Sequence, residues 1–319
     1  MFKALFRPLI HAINFKNITK SAVNGDIGAQ NKLGQMYYSG VYAQQDYEKA
    51  AEWYTKAASQ GSPGAQSALG EMYKYGQGVQ KDDNKAFYWY EKAAEKGDAY
   101  SQNSLGWMYE KAKGTEKDYT KAVWWYTKAA QQGDVDAQYN LGMMYNIGSG
   151  VLKNHREAFK WFNEAAQKEH GAAQASLGAM FFDGVGIPKD EKIAMDLYQK
   201  SADNGFAPAQ TYLGSAYEAK NEITEAIFWY RKAAGQGEAF AQTNLGLIYG
   251  LGQNVPKNEL IAYGLLEMAV MGGSETALDI RDTIAKGITQ SKRDEAKALA
   301  REPEKLWALI DAMQNLHPA

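Results

Sequence analysis

The stretch Ala65-Gln66-Ser67-Ala68-Leu69-Gly70-Glu71-Met72-Tyr73 decides how this chain folds, because its frame keeps returning. It comes back around Leu105-Gly106 and again around Leu141-Gly142. The full set of Leu-Gly pairs is Leu33-Gly34, Leu69-Gly70, Leu105-Gly106, Leu141-Gly142, Leu177-Gly178, Leu213-Gly214 and Leu245-Gly246. The first five spacings are 36 residues and the last is 32. A Gln stands three before each Leu and an aromatic three after each Gly, from Gln30 and Tyr37 to Gln242 and Tyr249. Self-similarity at a fixed period of this size marks a repeat array. Such arrays mostly present extended surfaces and seldom carry a chemical site.

Within the frame, the small residue before Gln, the Leu and the aromatic lie at i, i+4 and i+8. That is one face of an α-helix, here helix A. A second stripe follows: Ala50, Trp53 and Ala57, then Ala86, Trp89 and Ala93, then Ala122, Trp125 and Ala129. Its spacing of three and four makes helix B. Gly61, Gly97, Gly133, Gly205, Gly237 and Gly273 follow the B stripes, where a helix C-terminus turns to positive φ. Glu169 takes that place in the fourth copy, so its cap is expected to differ. A mid-helix Gly costs about 1 kcal/mol against Ala. Its recurrence implies close approach of helices A and B, with a bulky aromatic filling the space beside it. Gly76-Gln77-Gly78, Gly148-Ser149-Gly150 and Gly184-Val185-Gly186 lie between the helices. With no strand before them they read as turns needing positive φ rather than as phosphate-binding loops.

The whole chain has 319 residues, 45% hydrophobic and 23% charged, so it can bury a core. Its 35 Lys and Arg against 37 Asp and Glu, with no long basic cluster, argue against a nucleic-acid partner. No cysteine is present, which excludes disulfides and thiolate metal sites. No stretch approaches the roughly 18 apolar residues that span a bilayer. In residues 1–15, Arg7-Pro8 breaks the apolar run and no small-residue cleavage site follows, so a cleaved secretory signal is not expected. The expected location is cytoplasmic, with a periplasmic or membrane-associated protein as the alternative. His11, His155, His170 and His317 have no partner at metal-ligand spacing, and His155 and His170 are expected at the solvent. No catalytic constellation emerges, so no enzyme, metal or cofactor is expected. The recurring Gln reads as a structural hydrogen-bond ladder.

The frame A-Q-x-x-L-G-x-x-Y, the G-x-G loop, and then Tyr47-Glu48-Lys49-Ala50-Ala51-Glu52-Trp53-Tyr54-Thr55-Lys56-Ala57-Ala58 resemble the Sel-one-like repeat (SLR) family, relatives of the tetratricopeptide repeats. The resemblance implies an all-α, right-handed superhelical α/α solenoid of about seven helix-turn-helix repeats, with helical caps at both ends. It also implies an adaptor or scaffold role in protein complexes. Secreted, cysteine-rich relatives linked to penicillin binding carry a disulfide in each repeat, which this chain lacks.

Subtracting one period places residues 1–24 in a helix-B half-repeat with Phe15, Ile18 and Ala22 as its stripe. It acts as a cap, or alternatively as a basic amphipathic membrane contact. Residues 25–273 hold the seven repeats and 274–319 form C-terminal capping helices. Arg281-Asp282 falls where Leu-Gly would stand, Ser291 opens a capped helix, and Pro303 breaks it before Leu306, Leu309, Ile310 and Met313. The loop between Tyr217 and Ala226 is four residues short, about one helical turn, and is expected to change the curvature there.

In the tetratricopeptide fold, helix A lines a concave groove. Here the groove positions are the residues after Gln, after Gly and after the aromatic, which vary against the fixed frame. Tyr100, Asn103, Trp107, Glu110, Tyr139, Met143, Asn146 and Phe182 are the expected partner-binding residues, since aromatics and Met are enriched in hot spots. The alternative is that they only fill the interior. The expected function is a non-catalytic scaffold that binds a partner protein or peptide. The narrower alternative is an immunity protein blocking a bacterial toxin or lipase effector, a role some members of the family play.

Overall fold

Each helix of the array begins on a side-chain cap, and the caps punctuate the chain at the same period as the core residues. The computed structural model describes residues 15–316, with side chains to residue 313. Helix α1 occupies residues 15–23. The A helices are α2 (Ile27–Ser39), α4 (Pro63–Tyr75), α6 (Ala99–Lys111), α8 (Val135–Ile147), α10 (Gly171–Asp183), α12 (Ala207–Ala219) and α14 (Ala239–Leu251). The B helices are α3 (Tyr47–Ser59), α5 (Asp83–Glu95), α7 (Tyr119–Gln131), α9 (His155–Ala166), α11 (Glu191–Asp203), α13 (Ile223–Gly235) and α15 (Glu259–Met271). Helices α16 (Glu275–Ala285), α17 (Gln290–Arg301) and α18 (Pro303–Leu316) complete the chain, and no strand occurs among the described residues. Asp98 accepts from the Ser101 N–H at 2.8 Å to start α6, and Asp118 accepts from the Lys121 N–H at 3.0 Å to start α7. Each such cap satisfies a donor that the first helical turn leaves orphaned.

Two units divide the chain, residues 1–165 and 166–319. Within each, every A helix packs on the B helix that follows it, and that B helix on the next A helix. This nearest-neighbour stacking is an α-solenoid architecture. The B-to-A turn is a Schellman motif. The Gly61 N–H donates to the Ala58 carbonyl and the Ser62 N–H to the Ala57 carbonyl, with Gly61 at φ +92°. The A-to-B turn uses Gly76 at φ +73° and Gly78 at +65°, as the loop reading requires. A side chain on Gly78 would run into the Tyr47 carbonyl of the preceding repeat.

The Leu-Gly glycines are where helices A and B meet. In the first unit, a Cβ on Gly34, Gly70, Gly106 or Gly142 would stand 2.6 or 2.7 Å from ring carbons of Tyr54, Tyr90, Tyr126 or Phe162. The second unit repeats the contact at Gly178 with Tyr198 and at Gly214 with Tyr230, while Gly246 meets Leu266 at 3.0 Å. The ring against the glycine is therefore the residue after the Trp of the B stripe. Trp53, Trp89 and Trp125 instead lie half-buried over the apolar cluster of the preceding B helix and their own repeat's A helix, tying three helices together. Met36, Met72, Met108 and Met144, two after each Gly, are also buried, a 36-residue regularity that the sequence reading passed over.

Residues 15–23 follow the helix-B register: Ala22 is buried, Phe15 and Ile18 pack on Leu33 and Met36, and Gly25 turns at φ +94°. The expectations for residues 1–14 and for His317 lie outside the described residues. No described helix is long and apolar enough to cross a membrane.

Four expectations need correction. Glu169 keeps the left-handed turn of the glycines at φ +63°, although α9 stops at Ala166, because the turn geometry is imposed by the helices on both sides. The short copy loses its residues from the loop, not from a helix. Its A-to-B connection is residues 220–222, with Asn221 at φ +61°, and both α12 and α13 keep 13 residues. Thr289, not Ser291, caps α17 by accepting from the Lys292 N–H. His155 and His170 are half-buried: His155 sits on Asn146, and the His170 ring accepts from the Ala173 N–H as the cap of α10.

Candidate functional site

Seven glutamines hold the A helices in a common register. The Gln102 Nε2 donates to the Ala94 carbonyl at 3.1 Å, and its Oε1 accepts from Gln132 of the next B helix at 2.7 Å. Gln30, Gln66, Gln138, Gln174, Gln210 and Gln242 make the same bond to the end of the B helix before them. These side chains are spent on structure, as the ladder reading expects. They satisfy buried helix-end carbonyls that no backbone donor reaches.

With that register set, equivalent positions on successive A helices of the first unit become neighbours. The Asn140 amide donates to Asn103 at 3.1 Å, the Ser101 hydroxyl to Ser67 at 3.0 Å, and the Tyr38 hydroxyl to Gln77 at 2.9 Å. The Lys74 ammonium lies 4.4 Å from the centre of the Trp107 ring, a cation–π contact between one repeat and the next.

The expected partner-binding residues separate into three groups on this face. Tyr100, Trp107, Tyr139 and Met143 present apolar surface. Tyr100 is 43% exposed with its ring at 6.2 Å from Tyr90. Trp107, Tyr139 and Met143 are half-buried. Trp107 leans on two core clusters, and Tyr139 lies 5.8 Å from Phe162. The polar members are engaged inside the protein: Asn103 with Asn140, Asn146 with His155, and Glu110 with both Tyr126 and Lys111. Phe182 stands in the second unit, 40% exposed beside the Lys189 ammonium.

Glu110 shows what the polar positions do. The Tyr126 hydroxyl donates to its carboxylate at 2.8 Å. Burial first, and the Glu110 charge second, push that hydroxyl far above the usual tyrosine range, so it stays protonated and remains a donor. Tyr230 repeats the motif, donating to Glu218 at 2.7 Å and Ser215 at 3.0 Å. A charge-assisted bond of this kind braces helix A against helix B and contributes about 1.5–3 kcal/mol.

The sequence reading also passed over a second exposed aromatic set, on the B helices. In the first unit Tyr88 and Trp124 are 50% and 52% exposed, and in the second Phe228 is 51%. Each carries a lysine four residues on, Lys92, Lys128 and Lys232, whose ammonium sits over the ring at 5.8, 4.4 and 4.3 Å. The i, i+4 spacing of aromatic and Lys is visible in the sequence and is the signal that finds them. Among the described residues no group of His, Asp and Glu gathers that could hold a metal ion.

Solved structures with the same architecture include the Sel1 repeat protein from Oxalobacter formigenes. It is 34% identical over 85% of this chain and 79% of that one, with a TM-score of 0.68. Another is c5321, a protective antigen of uropathogenic Escherichia coli with an SLR fold. It is 26% identical over 93% of this chain and 81% of that one, with a TM-score of 0.62. No curated protein matches. The family model for the Sel1 repeat matches seven consecutive segments, 27–62, 63–98, 99–134, 135–170, 171–206, 207–238 and 239–274, the sixth being the short copy. With seven copies in tandem, each built on the same glycine contact and glutamine bond, the chain belongs to the Sel1 repeat family.

Proposed function

We propose that this protein is a non-catalytic scaffold whose A-helix face takes a partner protein or peptide, with Tyr100, Trp107, Tyr139 and Met143 as the apolar anchors. Sel1 repeat proteins are in general protein-interaction scaffolds rather than enzymes, and that role supports the reading. One observation carries it. Large apolar side chains stand half-exposed at positions where the neighbouring repeats have Gln35, Glu71, Asn31 and Ser67. The repeat frame does not need them there, and partly buried aromatics and Met are the usual centre of an interface.

The test is capture of partners from a lysate of the native host, read by mass spectrometry. Trp107→Ala with Tyr139→Ala lowers recovery of the partner by about tenfold or more, as loss of two hot-spot side chains would, and leaves the helical circular dichroism unchanged. Tyr88→Ala with Trp124→Ala, on the B helices, leaves recovery intact. Equal recovery by all three proteins refutes the A-helix face as the binding surface. If the captured partner is an enzyme that loses activity on binding, the protein acts as its inhibitor.

A further inference from the structure

The second unit ends in a cavity that the repeat pattern does not predict. Its walls are Leu247 and Leu251 of α14 and Ile280 and Ile284 of α16, with Asp279 and Thr283 at the rim, and its volume is about 370 Å³. Helix α16 follows the seventh repeat in the place of an eighth A helix. Leu247 stands at the residue after Gly, the register of Trp107 and Met143, so the cavity lies on the A-helix face. Gly250 opens it. Other copies carry Tyr38, Lys74, Glu110, Asn146, Phe182 or Glu218 at this position, and here there is no side chain. A Cβ on Gly250 would meet Ile284 at 3.2 Å, so the glycine also lets α16 lie close.

The chemistry of the walls is one-sided. Helix α14 carries no charged residue and exposes Phe240 at 59% and Leu251 at 65%. Helix α16 carries Glu275, Asp279, Arg281 and Asp282. The arginine is consumed by Glu267 and Asp282, each within 2.8 Å of its guanidinium. Asp279 makes no ion pair, and no Lys or Arg lines the cavity. An apolar group fits the walls, an anion meets only a carboxylate, and a cation next to the apolar group meets Asp279. A volume of this size accepts one large side chain with part of its backbone.

We infer that this cavity is a binding site for an apolar side chain of a partner polypeptide, leucine or phenylalanine, flanked by lysine or arginine. The inference rests on the scaffold reading and gives it a second anchor point with its own chemistry. Surface charge pairs add modest affinity and strong partner discrimination, so the basic flank sets specificity while the apolar group supplies binding.

Three peptides test it on the full chain labelled at isoleucine methyl groups: acetyl-Lys-Leu-Phe-Lys-amide, acetyl-Glu-Leu-Phe-Glu-amide and acetyl-Lys-Ser-Gly-Lys-amide. The first shifts the Ile280 and Ile284 methyl resonances in a saturable way, and the other two do not at equal concentration. Asp279→Asn weakens the first peptide by about two- to fivefold. Thr283→Trp, at an exposed position, fills the cavity and abolishes the shifts without changing the rest of the spectrum. Equal binding of the acidic peptide, or binding that survives Thr283→Trp, overturns the inference. Lysate capture with Trp107→Ala and Tyr139→Ala reads the first unit separately. Loss there with no methyl shift here defeats only the cavity. Methyl shifts here with full capture there defeat only the first-unit anchors.

Discussion

Gly106→Ala puts the central packing argument at risk with one methyl group. In an exposed helix interior, Gly to Ala stabilises by about 0.5–1 kcal/mol through backbone entropy. At position 106 the new Cβ would lie 2.6 Å from two carbons of the Tyr126 ring. Ordinary carbon contacts begin near 3.5 Å, so the ring must retreat by about 0.9 Å. Tyr126 is fully buried and its hydroxyl is bonded to Glu110, so the retreat strains a packed core and stretches a charge-assisted bond. Overpacking costs about 1–3 kcal/mol. The net expectation is a loss of about 1–2 kcal/mol. Gly235→Ala is the control, because nothing lies within 4 Å of its Cβ position, and it gains up to about 0.5 kcal/mol. Gly246→Ala falls between, since its neighbour is the softer Leu266 at 3.0 Å. The seventh copy also suggests a rescue: Gly106→Ala with Tyr126→Leu recovers part of the loss. Urea midpoints by far-ultraviolet circular dichroism give the ranking. A Gly106→Ala protein as stable as Gly235→Ala, or more so, would refute the claim that the recurring glycine exists for contact between helices A and B.

Glu169→Gly removes a side chain from a φ of +63° and stabilises the second unit by about 0.5–1 kcal/mol, read as a raised thermal midpoint. A lowered midpoint would mean that the Glu169 side chain makes a contact worth more than the backbone strain. Gln102→Leu strands the Ala94 carbonyl and the Gln132 amide and costs about 1–3 kcal/mol, with faster amide exchange at the end of α5 and the start of α6. Unchanged exchange there would show that water replaces the side chain.

Much of the architecture was legible in one sequence because it is periodic. Leu-Gly, Gln and the aromatic recur with a spacing that only helices at i, i+4 can use, and the B-stripe glycines mark where helices stop. The candidate face was legible less completely. Tyr100, Trp107, Tyr139 and Met143 were reachable by asking which positions vary against the frame. That Asn103, Glu110 and Asn146 spend their polar atoms inside the protein was not, because their partners Asn140, Tyr126 and His155 lie on other helices.

By itself the sequence determined the number of repeats, the order of helices A and B and the turns between them, since those follow from local backbone preference and helical period. Tertiary structure alone decided which ring meets each glycine. Trp125 and Tyr126 are adjacent in the chain, and only the direction from which α6 and α7 approach sends Tyr126 to Gly106 and Trp125 to the neighbouring repeat. It also decided that Gly250 and a degenerate α16 leave a cavity. A missing side chain and an irregular last helix are each unremarkable in sequence, and they make a site only where packing brings them face to face.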